Sequence, residues 1–407
     1  FENRGPFGVR ATKLPGVQIC EHLPKQAAIM DKLTLIRSVD ARKSSHQPNM
    51  VFQTGNLAAT PRTNPRGHKY PAIASIISKQ HGANHPSMPP YVAFQRHPTH
   101  VGYAGYLGKE YDPFIANQAT RLPIYDKVGV DTGQTSGADL FKLPAGLTHD
   151  RVQDRAALLK GFDRIRQSLD LEGSMDAMDS YRQRAVDMLL GQRAQQALDV
   201  SREPQQARDR YGKHLWCQQT LLARRLVEAG VPWVTVVMEN PYVSGIPMPK
   251  WGVYNWDSHA VNCHLFKDAE VRFPIYDQVI TAMVEDLYAR GLDRRVLLVV
   301  TGEFGRTPRI TVRPGSQTKV DQPGRDHWPS AMSMLVAGGG MRTGQVIGAT
   351  NTRGEEPVQR PLTPNDLWAS VYKHLGINPE HAFPDLSGRP MPILPFGEAI
   401  RELDPVS

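Results

Sequence analysis

Apolar and polar positions alternate in blocks along the first part of the chain. Leu33–Val39 (LTLIRSV) is a short apolar run that predicts a buried strand after a small helix around Pro24–Met30. His46–Thr54 predicts a helix that stops at Gly55-Asn56, a pair suited to the left-handed turn that ends helices. Tyr70–His81 predicts another helix and Tyr91–Phe94 another strand. From Pro98 to Gly146 the chain is rich in Gly, Pro and Tyr without a clear period, which predicts ordered loops able to cover a site. Residues 150–206 are dense in Arg, Asp, Gln, Ala and Leu with almost no β-branched residues. They predict a solvated helical insertion within a single domain that spans residues 1–407.

The second half alternates more regularly. Leu221–Ala229 has helical spacing and ends at Gly230; Trp233–Met238 is an unbroken apolar run of strand length. Phe273–Arg290 places Ile275, Val279, Met283 and Leu287 on one helical stripe, ended by Gly291. Val296–Thr301 and Met332–Ala337 are two further apolar strands. Thr363-Pro364-Asn365-Asp366 opens a helix that runs to His374, with Thr as N-cap and Pro in the first turn. Strand–helix alternation with unbroken apolar strands predicts an α/β fold with a mostly parallel central sheet and helices on both faces. Ligands of such sheets bind beyond the carboxyl ends of the strands, so chemistry is sought in the polar clusters that follow them.

Composition narrows the classes. The 407 residues carry 48 Lys+Arg against 40 Asp+Glu, and 48 − 40 gives +8. That excess is mild for the length. It suits anionic small ligands better than nucleic acid, which needs a clustered basic face. No apolar run approaches the roughly 20 residues of a membrane span. Three scattered cysteines, Cys20, Cys217 and Cys263, make neither a disulfide scaffold nor a zinc–thiolate knot. The chain opens on Phe1, so any targeting segment is expected to have been removed.

Four clusters carry candidate chemistry. Ser44-Ser45-His46 follows a strand and opens a helix, where free N–H groups favour developing negative charge, so Ser44, Ser45 or His46 is a candidate nucleophile or base. Asp257 and His259 are two residues apart in a loop and can face one ion. Glu303 stands just after the strand Val296–Thr301, with Arg306 offering a fork to an oxyanion. Arg325-Asp326-His327 adds a second guanidinium and further ligands, one of which can orient an imidazole. Asp257, His259, Glu303, Asp326 and His327 are thus the candidate metal ligands, and Arg306 and Arg325 the candidate substrate-binding residues. Gly338–Gly344 resembles a phosphate cradle but is followed by strand-like Gln345–Ala349, so a hairpin-like turn is expected instead.

Several blocks resemble one family. PGVQICEHLPKQAAIMDKLTLIRSV, SSHQPNMVFQTGN, LLARRLVEAGVPWVTV, WDSHA, VTGEFGRTPRI, GRDHWP, AGGGMRTGQVIGAT and LTPNDLWASVYKHLGI are similar, in order, to the bacterial family called domain of unknown function 1501. The resemblance covers about Pro15 to Leu386, and places the chain in the alkaline phosphatase and sulfatase superfamily. It implies an alkaline-phosphatase-like parallel sheet and a divalent metal ion (zinc, calcium or magnesium) at the strand ends. It implies a nucleophile in the Ser44–His46 region, metal ligation by Asp257, His259 and His327, and Glu303-Phe304 where the superfamily has Asp-His. The family's opening Gly-Gly and Asp-containing segment is expected upstream of Phe1. No Cys-x-Pro-x-Arg signature occurs, which disfavours a formylglycine sulfatase. The resemblance also implies export, to the periplasm or beyond. The expected function is a metal-dependent hydrolase of phosphate or sulfate esters acting on an anionic small molecule or glycan. The alternative is a non-catalytic exported binding or surface protein that keeps the fold with a degenerate site.

Overall fold

The computed structural model of the chain describes residues 4–45, 49–59, 66, 67, 69–95, 100–118, 120, 122–126, 129–136, 150, 151, 154, 186, 187 and 192–405. Most of the segment 150–206, expected as a helical insertion, lies outside the described residues; Gln192–Ala197 within it is helical. In chain order, the elements that frame the site are β1 (Thr34–Val39), α1 (Met50–Thr54), α2 (Ile73–His81), β2 (Tyr91–Phe94), β3 (Phe114–Ile115), α3 (Leu215–Ala229), β4 (Trp233–Val236), α4 (Leu265–Ala289), β5 (Leu297–Val300), β6 (Gly305–Arg306), β7 (Thr311–Pro314), β8 (Asp321–Gly324), β9 (His327–Trp328), β10 (Met332–Gly338), β11 (Gln345–Ile347) and α5 (Pro364–His374).

The mostly parallel central sheet expected from the sequence is not what the chain forms, and the alkaline-phosphatase-like arrangement is not found. The larger sheet has four strands in the order β11-β1-β10-β5. Within it β10 runs antiparallel to both β1 and β5, and only β11 lies parallel to β1. Among the described residues, parallel pairing elsewhere occurs in a three-stranded sheet, β3-β2-β4, and in one isolated bridge between Val39 and Leu362. The rest are two-stranded antiparallel ladders. Trp233–Val236, Leu297–Val300 and Met332–Gly338 are all strands, but the first belongs to a different sheet from the other two.

The cause is legible in the packing. Leu35, Leu335, Ala337, Leu298 and Val300 face one core, beneath Leu221 and Leu222 of α3 and Val279 and Met283 of α4. Their strand neighbours Ile36, Met334, Val336, Leu297 and Val299 face a second core, with Ile73 and Ile77 of α2 and Leu367 and Tyr372 of α5. Both faces are covered, so apolar residues fill both sides of these strands, with Thr34, Arg37 and Ser38 of β1 and Ser333 of β10 as the polar exceptions. Unbroken apolar strands report two-sided burial; they are equally compatible with either strand direction. Burying one such Leu or Ile contributes about 1.5–3 kcal/mol, and that term is blind to direction.

Helix ends depart from expectation where a side chain or packing overrides propensity. α3 begins at Leu215 rather than Leu221, because Nδ1 of His214 accepts the Trp216 N–H at 3.1 Å and caps the end. α4 begins at Leu265 rather than Phe273 and passes through Pro274, held by buried Asp268, Ala269 and Arg272 on the turns before it. α5 starts as expected, with the Thr363 N–H donating to Asp366 Oδ2 at 2.6 Å. α1 ends at Gly55 with φ +61°. Gly338, Gly339 and Gly340 all have φ near +70°. This lets the chain leave β10, and the next strand, β11, pairs on the far side of β1. The segment expected as a hairpin turn is therefore a crossing.

Between β5 and β10 the chain leaves the sheet. It forms two small antiparallel ladders, β6 with β9 and β7 with β8. These excursions carry Arg306, Arg325, Asp326 and His327.

Candidate metal centre

Three loops supply the centre. The first lies between β4 and α4 and carries Asp257 and His259. Tight turns hold it: the Ser258 and His259 amides donate to the carbonyls of Trp256 and Asp257, each at 2.9 Å. Asn262 Nδ2 donates to Asp257 Oδ2 at 3.0 Å and to the Asp257 carbonyl at 3.3 Å. The second and third are β6 and β9, whose pairing sets Arg306 opposite His327. The Phe304 ring lies 4.4 Å from the His327 ring, between centroids, and braces it.

Asp257, His259 and His327 come together. One ligand atom from each lies within 4.8 Å of the others. Nε2 of His259 is 3.0 Å, and Nε2 of His327 3.3 Å, from the same oxygen, Asp257 Oδ1. All three side chains are roughly a fifth exposed, at 17–25%. A half-buried carboxylate that faces two imidazole nitrogens is a donor set suited to a divalent ion. The residues present therefore fit the metal that the resemblance implies.

Asp326 stands behind the cluster. Its Oδ1 is 2.7 Å from Nδ1 of His259, and its Oδ2 accepts from Thr311 Oγ1 at 3.1 Å. A proton on Nδ1 bridges to Asp326, which leaves Nε2 of His259 turned toward Asp257 with its lone pair available. The bond to His259 is also the leading cause that holds the Asp326 carboxyl below the usual carboxylate range. The sign follows: a depressed folded value gives stability that is present above the unfolded value and lost as pH falls through the folded one. We expect acid titration to loosen this loop only below about pH 4. Asp326→Asn should remove that acid step and weaken metal binding by about 10–100-fold. NMR of the His259 ring and a metal titration check both. The effect on folding should be small, since the Asp326 side chain is 53% exposed.

The two arginines are tied to this architecture. Arg306 Nη2 donates to Asp257 Oδ1 at 3.0 Å and to the Trp256 carbonyl at 2.7 Å, and Nη1 reaches the Arg325 carbonyl at 3.2 Å. Arg325 Nη1 donates to the carbonyls of Thr307, at 2.7 Å, and Pro308. Burial alone pulls the Arg325 guanidinium below its ordinary value. Arg306 thus borders the cluster, whereas this part of Arg325 holds the loop after β6. Glu303 is half-buried in the turn between β5 and β6, beside Phe304, and is not one of the three clustered residues.

Ser44 is buried, and its hydroxyl donates to Asn49 Oδ1 at 2.7 Å. Asn49, not Ser44 or Ser45, is the residue that precedes α1. Ser45 is half-buried, and His46 lies outside the described residues. Ala41, three residues before Ser44, borders the third loop: its amide donates to the Pro329 carbonyl at 2.7 Å, two residues from His327.

Sequence reasoning missed Asn262, Thr311 and Arg272. Buried Arg272 pairs with Asp268, four residues earlier on α4, and donates to the carbonyls of Val253, Asn255 and Glu239. The i, i+4 acid–base spacing was the available signal. Cys217 and Cys263 are buried, and burial pushes both thiols up to about 12, consistent with packing roles.

The comparisons with known proteins come to one match. A family model described as a protein of unknown function (DUF1501) matches residues 2–403. No curated protein and no solved structure matches the chain.

Proposed function

The chain belongs to the DUF1501 family of proteins of unknown function, and on the geometry of its loops we propose that it is a metal-dependent hydrolase of phosphate or sulfate esters. The observation that carries the reading is the convergence of Asp257 and His259, from one loop, with His327, from β9, on one point. Asp257, His259 and His327 would hold the ion, with Asp326 fixing the ring of His259. Two imidazoles in the set favour zinc or another transition ion over calcium or magnesium. When bound, such an ion supplies a Lewis acid that polarises an ester oxygen. Fold contributes nothing to this argument, because fold does not decide function.

The chain's own groups supply the remainder. Arg306 lies against Asp257 at the edge of the cluster, where a guanidinium suits a tetrahedral oxyanion. The Ser44–His46 segment is the proposed source of the attacking group, which still requires a base; Ala41, three residues before Ser44, donates its amide to the Pro329 carbonyl. An anionic small molecule or glycan ester is the proposed substrate class, and the mild net charge of +8 suits it.

One observation favours the alternative, a non-catalytic binding protein. Arg306 and two imidazoles already surround Asp257 Oδ1, so the cluster is balanced in charge without an ion. Elemental analysis and a panel of phosphate and sulfate esters separate the two. The hydrolase reading expects roughly one transition ion per chain and turnover that a chelator abolishes and zinc restores. A chain that binds no metal and turns over no ester supports the alternative.

A further inference from the structure

Asp257 and His259 stand on a long loop, residues 237–264, that has neither helix nor strand of its own. A stretch of that length without backbone ladders needs other partners for its buried carbonyls and amides. One buried ion pair on α4 supplies several of them. The side chains of Arg272 and Asp268 are each 1% exposed, and Arg272 Nε donates to Asp268 Oδ2. Arg272 Nη1 donates to the Glu239 carbonyl at 3.1 Å, and Nη2 to the carbonyls of Asn255, at 2.6 Å, and Val253. Asp268 Oδ1 accepts from the Tyr242 hydroxyl at 2.6 Å and from the Val253 amide at 3.2 Å. The pair thus holds the loop at residues 239, 242, 253 and 255.

The last of these fixed points lies two residues before Asp257. The guanidinium also reaches the next residue, with Cζ of Arg272 4.8 Å from the centroid of the Trp256 ring. Past Asp257 the loop is held by a different element: the Arg325 amide donates to the Ser258 carbonyl at 2.9 Å. The two ligands on this loop therefore stand between one fixing from α4 and another from the hairpin. Buried ion pairs are weak evidence for stability, because desolvation offsets their attraction. What this pair does that two apolar side chains could not is gather three carbonyls, one amide and one hydroxyl of an irregular loop. Arginine suits the task, since its donors leave a rigid plane in several fixed directions, whereas a lysine offers its donors from one point.

Resting on the metal reading above, we propose that Arg272, paired with Asp268, is a positioning residue of the metal centre: it sets where Asp257 and His259 stand. It touches neither the ion nor a substrate. It acts through the backbone of residues 253–256, and a ligand set tolerates displacements of only about 0.5 Å before affinity suffers. Arg272→Lys keeps the charge beside Asp268 and gives up the fork, so the loop loses carbonyl partners while the ion pair survives. Arg224 on α3 is the matched control. It is also 1% exposed and paired with acids, but its ion-pair partners Glu203, Glu228 and Asp286 all lie outside residues 237–264.

The test titrates the full chain with zinc, and with cobalt(II), whose visible absorption reports ligand geometry, at a temperature where every variant is fully folded. Arg272→Lys should bind zinc about 10–100-fold more weakly than the parent and change the cobalt spectrum. Arg224→Lys should lower the unfolding midpoint yet keep the parent's zinc affinity and cobalt spectrum. Parent-like zinc affinity and spectrum in Arg272→Lys, or an equal loss in Arg224→Lys, reduces Arg272 to a structural ion pair and overturns the proposal. If Arg272→Lys fails to fold, Tyr242→Phe decides. It removes one bond to Asp268 and should weaken zinc by about 2–10-fold; unchanged affinity there overturns the proposal. If the parent binds no zinc, the metal reading falls by itself, and amide hydrogen exchange over residues 253–259 judges Arg272. Faster exchange there in Arg272→Lys, or in Tyr242→Phe where that variant decides, but not in Arg224→Lys, keeps it as the loop's positioning residue; exchange like the parent's overturns that role.

Discussion

Asp257→Asn should cost the protein its metal. Asp257 is the one residue that all the other members of the cluster touch: Oδ1 faces His259, His327 and Arg306, and Oδ2 is held by Asn262. Asn keeps the shape and removes the charge. Two imidazoles and a guanidinium then converge on a neutral amide, and a cation brought among them meets one positive group with no anion in contact to offset it, since Asp326 faces the far side of His259. Removing a partner that merely orients a ligand weakens a metal site by about 10–100-fold, so loss of the central carboxylate should exceed 100-fold. Folding should suffer far less. Arg306 keeps its bonds to the carbonyls of Trp256 and Arg325, and a half-buried pair of this kind is worth on the order of 1 kcal/mol. Zinc titration followed by thermal unfolding with and without zinc measures both terms. The parent should gain about 2.7 kcal/mol at free zinc a hundred times its Kd, and the variant should gain almost nothing at the same concentration. A variant that binds zinc as the parent does would remove Asp257, and the centre built on it, from the function.

The sequence made the strands legible and hid their directions. Leu33–Val39, Val296–Thr301 and Met332–Ala337 announce buried strands, and all three regions form one sheet. Nothing in an apolar run tells a strand which way its neighbour points. That is decided by the connection, and here two polar ladders, not a helix, join β5 to β10. The site shows the same division. Asp257 and His259 are two residues apart and His327 lies in a dense polar block, so each was visible as a candidate ligand. Their meeting depends on Arg306 lying opposite His327 in a two-residue ladder, which no periodicity encodes. Asp326 was visible as an acid, but its place behind His259 and not at the cluster depends on how the β7–β8 hairpin lies.

Gly324→Ala should damage the centre without touching any of its side chains. Gly324 ends β8, and its backbone lies directly on the backbone of His259 and Ala260. A methyl group built there falls well inside van der Waals contact of the Ala260 amide nitrogen and the His259 carbonyl carbon. These are backbone atoms and have no rotamer to escape into. The hairpin cannot simply lift away, because three bonds pin it to the same loop. The Arg325 amide donates to the Ser258 carbonyl at 2.9 Å, Gln322 Nε2 to the Ala260 carbonyl at 2.7 Å, and the Ser316 amide to the Val261 carbonyl at 2.8 Å. The strain must break one of these bonds or push His259 off its position. Overpacking of this kind costs about 1–3 kcal/mol. A shift of about 1 Å in a catalytic constellation costs on the order of 100-fold in rate. The loss in zinc affinity and turnover should therefore exceed what the fall in stability alone explains. Gly302→Ala is the matched control, since a methyl there meets only the Phe304 carbonyl at an ordinary 3.6 Å. It should leave stability and zinc affinity near the parent values. Should Gly324→Ala bind zinc and unfold like Gly302→Ala, close backbone packing of the hairpin is not what positions His259.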